Sequence, residues 1–189
     1  MKIKVVQHFK TQPWKNGLGS TQELLIHPAS ADVALEKFEY RISSAVVTGS
    51  STFSSFTGYR RIIVLLNGAM TLSHESQSGE KTTKLLEKLT PHFFSGDDIT
   101  TAKANSGNEM RDLNFIYRPQ KYEVKCEILT GKRELTLHPG KSYFLFSVDS
   151  KMYVEQQEIP ANKLAIITTG KTVHCQIFAS STVLFELRA

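Results

Sequence analysis

The sequence predicts an all-β protein made of closed barrels or paired jelly rolls, and three observations carry that expectation. Helical periodicity is scarce across the 189 residues. Short apolar alternations bounded by Gly, Pro, Ser, Asn and Asp recur instead, as in sandwiches and barrels. So many short strands favour closure, because a closed sheet leaves few unpaired edges to invite aggregation. The composition agrees, since 40% hydrophobic and 22% charged residues is ordinary for a folded chain and unlike a disordered one. The length suffices for one large core or two smaller ones.

Taken in chain order, the segment from Pro13 to Glu23 reads as a shaped loop entering a strand, with Gly17 and Gly19 beside Trp14, Asn16, Thr21 and Glu23. A plain structural reading stands beside it: the glycines permit positive φ or close packing, Trp14 is core and Glu23 is solvated. From Phe38 onward a strand places Phe38, Tyr40, Ile42 and Val46 on one face and Arg41, Ser43 and Ala45 on the other. Arg61 to Leu66 runs into Asn67-Gly68 and then Ala69 to His74, which predicts a hairpin. The stretch Lys81 to Leu89, with Leu85, Leu86 and Leu89, is expected to form a loop helix tucked onto the barrel. Phe94 to Asp97 reads as a turn. Further strands are expected at residues 110–117, 122–129, 141–147, 164–169, 173–178 and 182–187, with a turn from His138 to Lys141. Arg118 to Lys121 is the junction, which gives one barrel over residues 1–118 and a smaller one over 119–189. The boundary is soft, because a strand from either end can complete the other barrel.

Several function classes are excluded at this level. No stretch approaches the roughly 20 apolar residues of a membrane helix, and the start from Met1 to His8 lacks the apolar core of a secretory signal. The expectation is a cytoplasmic protein without a membrane partner. Cys126 and Cys175 are too few for a disulfide framework and form no Cys-x-x-Cys pair, so both read as inert thiols. The net charge is +5, but it is diffuse: residues 1–90 carry 11 basic against 7 acidic side chains and residues 91–189 carry 12 against 11. With no run of four basic residues, no nucleic-acid partner is expected.

The chemistry-bearing candidates lie in the front half. Arg41 shares a strand face with Ser43 in a stretch rich in buried-type residues, and a buried guanidinium left unpaired is expensive. It should meet a protein carboxylate such as Glu23 or Asp112, a ligand carboxylate, or both. Asp112 and Asn114 share a face opposite Leu113 and Phe115, so they line a cavity or face water. Arg61 lies in opposite phase to Ile62.

Taken together, these segments resemble the HutD/Ves family, associated with histidine utilisation and stress responses. The ordered match spans roughly residues 13–118. It rests on Pro13-Trp14-Lys15-Asn16-Gly17, Gly19, Thr21 and Glu23; on Phe38, Arg41-Ile42-Ser43 and Ala45; on Phe53-Ser54, Phe56, Gly58 and Arg61; and on Phe94, Gly96-Asp97, Asp112 and Asn114. Leu18, Tyr40 and Thr57 depart from the family pattern, which bears on the walls of the pocket. The resemblance implies a double-cupin (bicupin) fold with little helix, and a cavity lined by Asn16, Thr21, Glu23, Arg41, Ser43, Arg61, Asp97, Asp112 and Asn114. Cupins that hold iron, manganese or zinc use a His-x-His pair followed by Glu and a further His. His8, His27, His74, His92, His138 and His174 are all far apart here, so no metal and no other cofactor is expected.

The function expected on this reading is binding of a compact carboxylate or amide, a small anionic metabolite such as formylglutamate or urocanate, in a binding or regulatory role. Arg41 would anchor the carboxylate while Asn16, Ser43 and Asn114 orient it. A metal-free enzyme using Glu23 or Asp112 as acid or base is the alternative, although no nucleophile motif supports catalysis. A third reading is a protein-interaction role through surfaces such as Lys81 to Leu89. Pairing of two copies through sheet faces is the assembly that cupins commonly show.

Overall fold

The computed structural model describes residues 1–14, 17–35, 37–105 and 109–189. Among these, the chain is β-stranded apart from one 3-10 turn at Val33–Leu35. It divides into two compact units, residues 9–120 and residues 1–8 with 121–189. β1 (Lys2–Val6) pairs with a strand near the far end of the chain, the kind of strand exchange that the soft boundary between the two barrels allows. The alternation that makes β1 a strand carries no information about its partner.

The unit of residues 9–120 holds ten strands: β2 (Lys10–Pro13), β3 (Gly19–His27), β4 (Tyr40–Val47), β5 (Ser51–Thr52), β6 (Arg60–Asn67), β7 (Met70–Glu75), β8 (Lys81–Leu86), β9 (Pro91–Ser95), β10 (Ile99–Ala104) and β11 (Met110–Tyr117). Six form a sheet in the order β2-β3-β4-β11-β6-β9, and four form a second in the order β5-β10-β7-β8. The two sheets close on one apolar cluster. Val47, Ile63, Leu65, Phe94 and Met110 come from the larger sheet and Met70, Leu72, Leu86 and Ala102 from the smaller.

Two local expectations change. Asn67-Gly68 does not join a hairpin, because β6 pairs with β11 and β9 whereas β7 pairs with β10 and β8. The turn is a corner at which the chain leaves one sheet for the other. Gly68 sits at φ +78°, and the Asn67 side chain accepts the Arg111 backbone N–H. A turn motif fixes local backbone, and burial of Met70 and Leu72 against Ile63 and Leu65 decides where the next strand goes. Lys81–Leu86 is a strand and not a helix. It pairs along β7 from Thr71↔Leu85 to Glu75↔Lys81, so the β-branched Thr82 and Thr83 follow their propensity. Leu86 alone in this strand is fully buried.

The other unit contains β1, β12 (Glu123–Leu137), β13 (Lys141–Ser147), β14 (Met152–Val154), β15 (Gln157–Ile159), β16 (Leu164–Thr168) and β17 (Val173–Arg188). Its strand order is β1-β16-β13-β17-β14-β15, with β12 also on β17. The two strands expected at 173–178 and 182–187 are one. Leu129 faces Thr182 and Gly131 faces Ala179, so a bulge at Ser180-Ser181 bends β17 without ending it. Its core of Leu129, Leu137, Tyr143, Leu145, Met152, Val154, Ile167, Cys175 and Ile177 is wholly apolar.

Candidate functional site

Four neighbouring strands of the six-stranded sheet, β3, β4, β11 and β6, present one face to a cavity of about 450 Å³. Register sets its layout in rows across the sheet. Arg41 on β4 stands opposite Ile116 on β11, which stands opposite Arg61 on β6. In the next row Glu23 on β3 faces Ser43, which faces Asn114. In the third, Thr21 faces Ala45, which faces Asp112. Alternation along each strand therefore points Arg41, Ser43 and Ala45, with Asp112, Asn114 and Ile116, to the same side, as all six line the cavity. The opposite wall brings Ser51, Thr52, Phe53, Ser54 and Phe56.

Arg41 is 8% exposed and its Nε donates to Glu23 Oε2 at 2.9 Å. Its Nη1 lies 3.5 Å from Ser43 Oγ. Glu23 stands beside the cavity lining as the counter-charge of this arginine.

Arg61 is held differently. Its Nη1 donates to the Ser54 carbonyl at 3.1 Å, and its guanidinium carbon lies 4.9, 5.1 and 5.6 Å from the ring centres of Phe94, Phe53 and Phe56. The aromatic faces offset part of the cost of removing this cation from water. Arg61 Nε, buried, has no hydrogen-bond partner.

The loop carrying Phe53, Ser54 and Phe56 is fixed from below by the turn after β9. Gly96 N–H donates to Tyr59 O and Phe56 N–H donates to Gly96 O, both at 2.8 Å. A Cβ on Gly96 would collide with Phe56 O, so this close approach requires glycine. Asp97 Oδ1 accepts the Gly58 N–H at 2.9 Å and Oδ2 accepts Ser95 Oγ–H at 3.1 Å. At the opposite rim Trp14 donates its indole N–H to Thr21 Oγ1 at 2.8 Å. A Cβ at Gly19 would strike Val46 O and the Trp14 ring.

Asp112 is 1% exposed, and its Oδ1 has no hydrogen-bond partner; the same holds for Asn114 Oδ1. Burial drives the Asp112 carboxyl up to about 7 against the opposing pull of the Arg61 charge and the Ala45 backbone. Burial lowers Arg61 to about 10; the Asp112 charge resists that fall and the like charge of Arg41 adds to it. Arg41 and Glu23 cancel, so the lining carries one net positive charge whenever Asp112 holds its proton. Elsewhere, burial pushes the Cys126 and Cys175 thiols up to about 12, which keeps both unreactive.

Of the residues singled out from sequence, Thr21, Arg41, Ser43, Arg61, Asp112 and Asn114 converge on the cavity. Glu23 acts through Arg41. Asp97 lies outside the lining, with its carboxylate oxygens engaged by the loop that bears the phenylalanines. Asn16 lies outside the described residues. The aromatic clamp on Arg61 was not foreseen; Phe53 and Phe56 sat beside Arg61 in the motif, but only strand closure brings Phe94 to the same cation. Among the described residues no three His, Cys, Asp or Glu side chains gather as a metal centre. Among the described residues no helix is long and apolar enough to cross a membrane.

Comparison with known proteins follows the same lines. The HutD family model matches residues 6–185. Protein Ves of Escherichia fergusonii is 31% identical over 173 residues, covering 92% of this chain and 86% of that one. The structure of HutD from Pseudomonas fluorescens superposes with a TM-score of 0.85 at 27% identity, over 99% of this chain and 98% of that one. At the level of fold alone, oxalate decarboxylase of Lactobacillus farciminis aligns with a TM-score of 0.66 at 8% identity, over 98% of this chain and 85% of that one, which identifies the architecture as cupin-type.

Proposed function

This chain belongs to the HutD family, and from that premise we propose that it binds a compact carboxylate or amide metabolite in the cavity of residues 9–120, in a binding or regulatory role. One observation carries the reading: Arg61 Nε, Asp112 Oδ1 and Asn114 Oδ1, all buried, stand unpaired around one cavity. Each such atom costs about 1–3 kcal/mol when nothing satisfies it, so three together are retained for a guest that does. The cavity size suits a small metabolite, within the roughly 300–1,000 Å³ of ligand sites.

These atoms favour a guest of particular chemistry. It presents an anionic acceptor to the arginines, which can hold a carboxylate in paired hydrogen bonds. It offers a donor to Asn114 Oδ1, as an amide N–H does. Asp112 completes the set as a neutral acid giving its proton to a ligand oxygen. Formylglutamate and urocanate, intermediates of histidine breakdown, have this chemistry and are the compounds to test first.

Titration calorimetry with both compounds tests the proposal. Arg61→Ala and Arg41→Ala should each weaken binding by roughly tenfold to a hundredfold, the 1.4 to 2.7 kcal/mol of a charge-assisted hydrogen bond. Wild-type affinity in both variants would remove the anchors and the proposal with them. A second reading, catalysis on the same ligand, is favoured by one observation: Asp112, at about 7, is suited to pass a proton at neutral pH. Turnover by the wild type that disappears in Asp112→Asn, with ligand still bound, would establish it.

A further inference from the structure

Away from the cavity, two histidines meet where the two sheets of residues 9–120 come together. His74 belongs to β7 of the four-stranded sheet and His92 to β9 of the six-stranded one. Their Nε2 atoms are 3.0 Å apart. At that distance two bare lone pairs would repel, so something positive lies between them: a proton, or an ion. We propose that this pair is a chelating site for one divalent transition-metal ion of the kind that favours imidazole, Cu²⁺ or Ni²⁺.

Four features support an ion. Metal–nitrogen bonds of about 2.0–2.1 Å drawn from two nitrogens this far apart meet at roughly a right angle, the angle between neighbouring ligands of tetragonal Cu²⁺ or Ni²⁺. The rings are braced: His74 Nδ1 is 2.9 Å from Thr100 Oγ1, and both rings pack on Phe94, at centroid distances of 4.8 and 5.7 Å. With its proton on Nδ1, His74 gives that N–H to Thr100 and turns the Nε2 lone pair to the site, the outer bond that metal-binding histidines use. Burial lowers the pKa of both imidazoles, which favours the uncharged form that a metal ligand needs. A small hollow of about 160 Å³, lined by His74, Ser76, Glu80, Thr82 and Asp98, borders the pair on the His74 side and brings two carboxylates near it.

When the ion takes both Nε2 atoms, the proton that had lain between the neutral rings moves to His92 Nδ1, and none is released. No third His, Cys, Asp or Glu converges among the described residues, so water fills the other positions and the ion exchanges readily. Occupancy would tie β7 to β9 directly behind Phe94, whose ring also lies 4.9 Å from Arg61 in the cavity.

Metal-stripped protein titrated with Ni²⁺ and Cu²⁺ at neutral pH should bind one ion per chain. His74→Gln and His92→Gln should each weaken binding by at least roughly tenfold, while His8→Gln and His27→Gln leave it unchanged. Ni²⁺ should raise the thermal midpoint of the wild type and of neither pair variant, and the Cu²⁺ spin-resonance spectrum should show coupling to two imidazole nitrogens. His92 is only partly buried, so its variant carries the test if His74→Gln fails to fold. Absence of binding, or binding that survives in His92→Gln, overturns the proposal and leaves a hydrogen bond that shares one proton.

Discussion

The two units are built from the same material, but only one of them sets a polar chamber beside its apolar core. Residues 121–189, with 1–8, close on an apolar core in which Tyr143, Leu145, Met152 and Ile167 leave no polar lining. Its buried polar side chains, Ser147 and Thr182, are both bonded: Ser147 to the Pro160 carbonyl and Thr182 to Met152 Sδ. In residues 9–120, Arg41, Ser43, Arg61, Asp112 and Asn114 occupy inward positions of a sheet face. Strand periodicity is identical in both. What differs is the residue type at alternate positions, and it decides whether a barrel interior becomes core or chamber.

The comparison can be strained first where packing is tightest. Leu145→Ala empties a site that is 0% exposed, and should cost about 3–5 kcal/mol in urea unfolding, with the cavity of residues 9–120 still binding its ligand. A small cost would mean that the apolar unit is as loosely filled as the other.

Next in size is a pH effect peculiar to the polar unit. The Asp112 carboxyl is raised from 3.8 to about 7 on folding, so the folded chain binds the extra proton in that window. Its contribution to stability is therefore complete below about 4 and is lost as the pH rises through about 7. Asp112→Asn should flatten that fall in unfolding midpoints measured across the window. An unchanged profile would show that the aspartate ionises freely in the folded state.

The smallest effect sharpens the contrast most directly. Asn114→Leu gives one position of the polar chamber an apolar side chain and removes the unpaired Oδ1. Stability should hold or rise by about 1 kcal/mol while ligand binding disappears. A destabilised variant would indicate that Asn114 is satisfied by contacts within the protein.

Much of this was legible in the sequence, and the reasons for the misses are specific. Alternation put Arg41 with Ser43 and Asp112 with Asn114 on shared faces because side chains in a strand follow a strict period of two, but only the fold decides that the second pair faces a cavity and not water. Pairing is not local in that sense. Asn67-Gly68 announced a turn but not that it would change sheets. Asp97 travelled with the polar motif, yet its bond to Gly58 positions the loop that bears the phenylalanines. His74 and His92 looked unrelated because the register that joins them is set by two different sheets.

The pairing of Lys2–Val6 with Leu164–Thr168 bears on how the chain is made. During translation, at about 5–20 residues per second, the early strand emerges on the order of ten seconds before its mate. Residues 9–120 form an uninterrupted stretch that can mature in that interval. The later unit must instead recapture a segment already released, a long-range closure that is slow by nature. Ligand present at the ribosome would then meet a finished chamber on a nascent, still incomplete polypeptide.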